Sequence, residues 1–268
     1  MIRAAVLGSP ISHSLSPTLH NAAYKILGID GQYSAIEMTP ERLGEFISSC
    51  DNSWTGFSLT MPLKETVIGI AQEVDPLAVQ IDGANTLVRT AQGWRASTTD
   101  VNGFQSSLRA HEAAYERSCL IIGSGATARA AVAALDGAGR TIYVLHRNSR
   151  RSAGIIKAAP LSDVQFLDWD APLPTAQVTI NTTPAGVADH LVERLPQRPA
   201  GVYFESLYNP WPTLMLDTWK NRGGQTIDGL DLLVHQGIDQ IALMTGETID
   251  REKFAPLLRN VGLLALNH

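Results

Sequence analysis

A turn rich in glycine and alanine, at residues 123–128, constrains the fold of this chain more than any other feature. An apolar segment at 119–122 leads into it, and an alanine-rich segment follows it. This strand–turn–helix order places the pyrophosphate of a dinucleotide on a helix N-terminus. The first glycine permits the tight turn, the second admits the phosphates close to the backbone, and the third small residue lets helix and strand pack. We therefore expect cofactor contacts from Gly123, Ser124, Gly125, Ala126, Thr127 and Ala128. An ordinary strand-to-helix turn is the alternative interpretation.

The end of the next predicted strand indicates which dinucleotide binds. Residues 140–145 form that strand, and His-Arg-Asn-Ser-Arg-Arg follows it at 146–151. NAD-binding proteins carry an Asp or Glu near this point for the ribose 2′-hydroxyl, whereas an Arg accommodates a 2′-phosphate. No acidic residue occurs between Gly137 and Asp163. We expect NADP rather than NAD, with contacts from Arg147, Asn148 and Arg151; a solvated basic turn is the alternative.

The composition is that of a globular enzyme. Of the 268 residues, 44% are hydrophobic and 18% charged, and the formal net charge is −5. That charge disfavours nucleic acid or an anionic membrane as the main partner. No apolar run approaches the roughly 20 residues that span a bilayer, and the first residues lack signal-peptide architecture. Two cysteines and seven scattered histidines without metal-ligand spacing predict no metal site and a reducing, cytoplasmic setting.

Short apolar strands alternate with helical segments along the whole chain, which predicts a parallel α/β fold. A dinucleotide unit that begins near residue 119 leaves about a hundred earlier residues with their own strands. We expect an N-terminal α/β substrate-binding domain, residues 1–100 plus 236–268, to which the C-terminal helices return. Residues 101–235 form a doubly wound Rossmann-type domain, with the reaction in the cleft between the two domains.

Individual elements follow from the same pattern. A hairpin is expected at 85–90 and 94–98, and Ser16 is expected to cap a helix whose first turn holds Pro17. The other predicted strands are 2–7, 32–37, 55–60, 119–122, 140–145, 164–167, 178–181 and 202–205. The other predicted helices are 41–49, one from residue 100, one after the glycine turn, 230–245 and 251–265.

Hydroxyl groups and a lysine follow the first predicted strands. Residues 9–16 contain four serines, and hydroxyls beside helix-terminal N–H groups suit a small carboxylate or polyol. Turn formation and capping are the alternative roles. Lys64 lies just past a strand end and Pro62, from where it can reach a cleft. An acid–base role needs a tuned environment, because lysine has a pKa of about 10.4; a solvated lysine is the alternative.

Three further polar residues are candidate site residues. Asn85 offers both donors and acceptors, and Asp100 could pair with Lys64 and hold its ammonium near a substrate hydroxyl. Asn85 and Asp100 could equally be turn or N-cap residues, since Asp100 precedes a predicted helix. Gln236 lies on a predicted helix, where a surface amide is the alternative.

Taken in this order, the segments resemble the shikimate dehydrogenase family over nearly the whole chain. The resemblance is carried by Ser-Leu-Ser-Pro at 14–17, His-Asn at 20–21, Thr-Met-Pro-Leu-Lys at 60–64, Gly-Ala-Asn-Thr at 83–86, Thr-Asp at 99–100, Gly-Ser-Gly at 123–125, Asn-Thr-Thr-Pro-Ala-Gly at 181–186, Tyr-Asn-Pro at 208–210 and Asp-Gly-Leu at 228–230 through Gln236.

The resemblance implies a reversible, metal-independent reduction of 3-dehydroshikimate to shikimate by NADPH, a step of aromatic amino-acid biosynthesis. It makes Lys64 and Asp100 the catalytic pair, in a monomer or homodimer. It adds Thr182 and Gly229 to the cofactor contacts and places Arg147 where NADP-preferring members carry Asn-Arg-Thr. The residues that it implies for binding the substrate are Ser14, Ser16, Thr60, Asn85, Tyr208 and Gln236.

Three departures limit what the resemblance implies. Ser58 stands where the family usually has an Asn, so a hydroxyl replaces an amide at this position. Ala126 adds a methyl group where the glycine-rich loop often has a further Gly. The basic turn reads His-Arg-Asn at 146–148 rather than Asn-Arg-Thr, so only the arginine is retained.

Two other functions remain open at the level of sequence. A quinate/shikimate dehydrogenase that prefers NAD is disfavoured by the arginine-rich turn. A non-catalytic NADP(H)-binding sensor is disfavoured because Lys64 and Asp100 are both retained.

Overall fold

Two six-stranded sheets organise residues 1–266, the part of the chain that the computed structural model describes. The chain divides into two units. The first comprises Met1–Thr99 and the chain from Leu233 onward, and the second comprises Asp100–Leu232. The first unit is therefore built from both ends of the sequence.

The sheet of the first unit is mixed. In the order β2-β1-β3-β5-β6-β4, strand β1 pairs in parallel with β2 and β3, whereas β5 is antiparallel to β3 and β6. The predicted hairpin is confirmed, and it gives the otherwise parallel sheet its antiparallel strands. The strands are β1 (Ile2–Gly8), β2 (Gly31–Glu37), β3 (Gly56–Leu59), β4 (Glu73–Val74), β5 (Thr86–Thr90) and β6 (Gly93–Ser97).

The helices that connect these strands are α1 (Ser16–Leu27), α2 (Pro40–Ser49), α3 (Leu63–Thr66) and α4 (Pro76–Gln80), with a 3₁₀ turn at Val67–Gly69. The prediction that Ser16 caps α1 is wrong. Leu15 is the N-cap residue, and its φ of −82° and ψ of −7° are already helical. The helix therefore begins at Ser16, whose side chain is buried in the first turn.

The sheet of the second unit is wholly parallel, in the order β12-β11-β10-β7-β8-β9. Counted from the first strand of the unit, this is the 3-2-1-4-5-6 order of dinucleotide-binding folds, which confirms the Rossmann-type prediction. Ligands of such sheets bind where the strand order reverses, here at the carboxyl ends of β7 and β10. The strands are β7 (Ser118–Ile122), β8 (Thr141–His146), β9 (Asp163–Asp168), β10 (Val178–Asn181), β11 (Val202–Glu205) and β12 (Gln225–Ile227).

The helices of this unit are α5 (Asp100–Ala110), α6 (Ala126–Leu135), α7 (Ser152–Ala158) and α8 (Leu214–Asn221), with 3₁₀ turns at Ser149–Arg151 and Asp189–Arg194. The sequence patterns did not predict α7, α8 or the short strands β4 and β12. A capping signal for α8 was present, since the Thr213 hydroxyl accepts a hydrogen bond from the Leu216 N–H at 3.3 Å.

Two long helices close the chain: α9 (Gly229–Thr245), which begins in the second unit and continues into the first, and α10 (Arg251–Leu266). Within the first unit, Met244 of α9 lies so close to Gly56 of β3 that a Cβ on the glycine would come within 2.8 Å of the Met244 side chain. The helix thus packs directly against the sheet. Across residues 1–266, none of the helices combines the length and apolar character needed to span a bilayer.

Candidate active site

The glycine-rich turn between β7 and α6 has the geometry of a phosphate site. Gly123 has a φ of +116°, and a Cβ there would lie 2.5 Å from the Thr182 hydroxyl oxygen, so no side chain fits. The Thr182 hydroxyl donates to the Ile122 carbonyl at 2.9 Å, which fixes Thr182 against the turn. Gly125 is the N-cap residue of α6, so the N-terminal N–H groups of the helix face this turn.

One arginine lies beside this turn, and a second follows the neighbouring strand β8. A Cβ on Gly125 would lie 3.4 Å from Nη1 of Arg151, so that guanidinium stands beside the backbone of the turn. Arg147 follows β8, is exposed, and lies with its Cζ 5.1 Å from the ring centroid of Trp169. The Asn148 side chain accepts a hydrogen bond from the Arg150 N–H at 3.1 Å and caps a 3₁₀ turn. The Arg151 guanidinium and the helix N–H groups therefore meet at the turn. With Arg147 after the neighbouring strand, the residues present fit a dinucleotide with an added phosphate.

A buried carboxylate organises the neighbouring strand ends of the second unit. Glu205, at the end of β11, is fully buried and accepts hydrogen bonds from Asn181, Tyr203, Thr213 and the Leu207 N–H at 2.8–3.3 Å. Burial raises the pKa of Glu205, and its hydrogen bonds oppose that shift. Because Asn181 ends β10 and Leu207 precedes Tyr208, one carboxylate fixes two loops at the carboxyl edge of the sheet.

Gly229 lies against one of these loops. A Cβ there would come within 2.7 Å of the Tyr208 backbone nitrogen. The absence of a side chain at Gly229 thus lets the start of α9 approach the Tyr208 loop. Gly229 and Tyr208 are both site residues that the sequence analysis predicted, and both belong to the second unit.

In the first unit, side-chain hydrogen bonds join Asn85 and Gln236. The Asn85 Nδ2 group donates to Gln236 Oε1 at 3.1 Å and to the Thr99 hydroxyl at 2.9 Å. Asn85 Oδ1 accepts from the Thr99 N–H at 2.8 Å and from the Thr86 hydroxyl at 2.9 Å. Asn85, Thr86, Thr99 and Gln236 are all buried. The structure therefore fixes the orientation of the Asn85 amide.

Backbone contacts bring Lys64 to the same segment. The Lys64 carbonyl accepts a hydrogen bond from the Ala84 N–H at 2.8 Å, and the Leu63 N–H donates to the Thr60 carbonyl at 2.9 Å. The Lys64 side chain is half-buried. Lys64 belongs to the first unit and Asp100 to the second, so their pairing remains a prediction.

The serine-rich loop after β1 is held by a carboxylate. Glu37 accepts hydrogen bonds from the Ser9 hydroxyl at 2.5 Å and from the Ile11 N–H at 3.0 Å. Farther along the loop, the Ser14 hydroxyl accepts from the Ser16 N–H at 3.3 Å. Ser16 borders a small hollow that is also lined by Gln236 and His20. Two predicted substrate contacts thus share one surface.

Ser58 has a structural role at the position where the family's usual amide is missing. It accepts a hydrogen bond from the Tyr33 hydroxyl at 2.5 Å and donates to Gln240 Oε1 at 2.7 Å. Gln240 donates in turn to the Asn85 carbonyl at 3.0 Å and to the Thr86 hydroxyl at 3.1 Å. We call Tyr33, Ser58, Gln240, Thr86 and Asn85 the polar chain. It runs through the interior of the first unit and ends at the Asn85 amide.

Tyr33, Gln240 and Glu205 were not among the site residues predicted from the sequence. The spacing of Gln240, four residues after Gln236 on one helix, places both amides on the same face and could have revealed it. Tyr33 and Glu205 carry no motif signal. The Ser58 partner of Tyr33 lies 25 residues away, and the hydrogen bonds of Glu205 form only where β10, β11 and the segment before α8 meet. Within the described residues, no His, Cys, Asp and Glu side chains group in a way that could hold a metal ion.

Comparison with known proteins shows which family the chain resembles. The model described as the shikimate dehydrogenase substrate binding domain matches residues 6–87. The shikimate dehydrogenase (NADP(+)) of Thermosynechococcus vestitus is 35% identical over 90% of this chain and 89% of the relative. That of Synechocystis sp. is 36% identical over 87% of this chain and 86% of the relative.

Solved structures agree. Mycobacterium tuberculosis shikimate dehydrogenase has a TM-score of 0.87 at 35% identity, covering 97% of this chain and 100% of that chain. The Thermus thermophilus enzyme in complex with NADP(H) and shikimate has a TM-score of 0.83 at 28% identity, covering 97% of this chain and 100% of that chain.

The polar chain predicts coupled stability effects. Tyr33→Phe and Ser58→Ala each remove a hydroxyl that bonds within the interior, so each should lower the free energy of unfolding by about 1–3 kcal/mol. The double variant should lose less than the sum, since both variants break the same Tyr33–Ser58 bond. Urea unfolding of the four proteins measures this. Ser12→Ala, at an exposed serine, is the control and should change stability by less than about 0.5 kcal/mol; strictly additive losses would contradict the coupling.

His20 predicts a pH dependence of stability. Its ring is 1% exposed and stacks on Tyr33 with centroids 3.9 Å apart, and burial lowers the pKa of His20 from 6.5 to about 3. Below pH 6.5, His20 therefore binds a proton in the unfolded chain but stays neutral in the folded chain until the pH falls to about 3. Titration of His20 should thus lower the free energy of unfolding by about 1 kcal/mol for each pH unit below 6.5.

The test compares unfolding free energies from pH 7 to pH 4 for the wild type and His20→Phe, which keeps an aromatic ring. The wild type should lose more stability on acidification, whereas the exposed His13→Asn control should follow the wild type. Parallel curves for the wild type and His20→Phe would show that His20 does not titrate in this way.

Proposed function

The chain belongs to the shikimate dehydrogenase family, and we propose that it catalyses the reversible, NADPH-dependent reduction of 3-dehydroshikimate to shikimate. The observation that carries the proposal is the arginine-lined glycine turn at the switch point of a 3-2-1-4-5-6 sheet. The relatives of the chain, which match it over about nine tenths of its length, are named shikimate dehydrogenase (NADP(+)).

The second unit holds the cofactor in this proposal. NADPH, when bound, supplies the hydride for the reduction. The turn at 123–128 and the N-terminus of α6 bind the pyrophosphate, with Thr182 packed beneath Gly123. Arg147 and Asn148 bind the adenosine side, Arg151 stands beside the pyrophosphate turn, and Gly229 leaves space for the loop that carries Tyr208.

Lys64 and Asp100 are the proposed catalytic pair. As the substrate carbonyl is reduced, negative charge develops on its oxygen, and the Lys64 ammonium stabilises that charge and donates a proton. Asp100 orients Lys64 and accepts a hydrogen bond from a neighbouring substrate hydroxyl. Asp100 is 6% exposed and stands in the first turn of α5, where the helix dipole favours a negative charge. Acid–base assistance of this kind contributes about 10²–10⁴-fold in rate.

The first unit binds the substrate in this proposal, with Tyr208 contributing from the second. The Asn85–Gln236 pair is already oriented by buried hydrogen bonds, so little conformational entropy is lost when a ligand binds. The side chains proposed to hold the carboxylate and hydroxyls of the substrate are Ser14, Ser16, Thr60, Asn85, Tyr208 and Gln236.

The proposed reaction can be tested by following reduced nicotinamide absorbance with each of four pairs: shikimate or quinate, with NADP⁺ or NAD⁺. The highest kcat/KM should be found for shikimate with NADP⁺, because guanidinium groups line the cofactor turn. A preference for quinate with NAD⁺ would instead indicate a quinate/shikimate dehydrogenase that prefers NAD. Tight NADPH binding without shikimate-dependent reduction would indicate a sensor.

Lys64→Ala should lower kcat by at least about 100-fold with a modest change in KM, since the lost ammonium acts in the transition state rather than in binding. Lys220→Ala, at an exposed lysine of α8, is the matched control and should retain normal kcat. Steady-state kinetics in the reduction direction give both constants. A near-normal kcat for Lys64→Ala would refute the catalytic role.

A further inference from the structure

We propose that Trp169 positions the Arg147 guanidinium for the 2′-phosphate of the cofactor and is thereby a determinant of the preference for NADP over NAD. The inference rests on the proposed cofactor site and concerns one residue that no motif marks. Trp169 lies directly after β9, at the carboxyl edge of the sheet.

Strand register brings the two side chains together. Strands β8 and β9 are parallel, and His146 is paired with Asp168. Arg147 and Trp169 are each the next residue, so they leave neighbouring strands side by side. The Arg147 Cζ lies over the indole ring, 5.1 Å from its centroid, within the range of about 6 Å at which an aromatic ring attracts a cation.

An aromatic ring is a suitable support for an arginine that must also bind phosphate. The ring attracts the guanidinium through its quadrupole, without a carboxylate that would neutralise the charge. The charge therefore stays available to the phosphate. Arg147 is exposed, and a long exposed side chain loses rotamer entropy when it binds. Holding it over the ring lowers that cost before the ligand arrives.

The indole is itself held by the 3₁₀ turn at Asp189–Arg194. Its Nε1–H donates to His190 Nε2 at 2.8 Å, and the Trp169 carbonyl accepts from Arg194 Nη1 at 2.8 Å. Because an indole N–H only donates, His190 Nε2 is the acceptor in this contact. Both the side chain and the backbone of Trp169 are thus fixed, which makes the ring a rigid platform rather than a mobile surface residue.

Arg147 and Arg151, both in the segment after β8, have different roles. Arg151 stands beside Gly125 in the pyrophosphate turn, a part of the cofactor that NAD and NADP share. Arg147 follows β8, the neighbour of β7, and its guanidinium lies over Trp169, which follows β9 at the edge of the sheet. Loss of the platform should therefore weaken binding of a 2′-phosphate without affecting the pyrophosphate end.

The experiment measures binding of 2′,5′-ADP and of 5′-AMP, which lacks only the 2′-phosphate, by calorimetry and without substrate or turnover. Trp169→Leu should weaken the binding of 2′,5′-ADP by about 3–10-fold, the effect of one partly exposed cation–π contact, and leave the affinity for 5′-AMP within about twofold. Trp169→Phe, which keeps an aromatic ring, should weaken the binding of 2′,5′-ADP less than Trp169→Leu. Unchanged 5′-AMP affinity also shows that each variant is folded.

Two controls separate positioning from a structural effect. In an Arg147→Ala background, Trp169→Leu should cause no further loss of 2′,5′-ADP affinity, because the platform acts only through that arginine. Tyr115→Leu removes a matched contact, since Arg140 lies 4.9 Å from the Tyr115 centroid at the opposite end of β8. It should leave the ratio of the two affinities unchanged.

The outcomes distinguish this inference from the function on which it rests. A wild type that prefers 2′,5′-ADP, with the same preference in Trp169→Leu, would overturn the platform and leave the NADP site intact. Equal losses in the wild-type and Arg147→Ala backgrounds would also overturn it. A wild type with no preference for 2′,5′-ADP over 5′-AMP would overturn both proposals.

Discussion

The hydrogen bond between the Asn85 and Gln236 side chains joins segments that are 151 residues apart in sequence, and the first unit depends on it. Buried amides are costly unless their donors and acceptors are paired. Asn85 at the start of the hairpin and Gln236 on α9 satisfy each other only when the end of the chain returns to the first sheet. The same contact that completes this unit also orients two proposed substrate residues.

In the second unit, the buried polar group whose hydrogen bonds must be satisfied is a carboxylate. Glu205 is fully buried, and its cost is offset by donors from Asn181, Tyr203, Thr213 and the Leu207 backbone. All of these donors lie near the carboxyl ends of β10 and β11, where ligands of parallel sheets bind. In both units, therefore, internal hydrogen bonds of a buried side chain, Asn85 in one and Glu205 in the other, fix strand-end segments that the proposed reaction needs.

Much of the fold could be predicted from the sequence because its signals are local. Strands β10 and β11 were predicted with the bounds that the structure has, since their apolar runs are bounded by polar segments. The glycine turn was predicted because Gly123 must adopt a positive φ. Short elements such as α8 and β12 were missed, because three to eight residues carry too little periodicity. The Ser16 cap failed because Leu15 had already entered the helical conformation.

The sequence by itself determined the α/β architecture, the nucleotide turn and the arginine-rich segment after β8, since each depends on residues that are neighbours along the chain. Only the tertiary structure decided the partners of the buried polar groups. Ser58 meets Gln240 across 182 residues, and Trp169 meets Arg147 through strand register. Such contacts depend on how distant elements pair and pack, a property that no local pattern of residue types encodes.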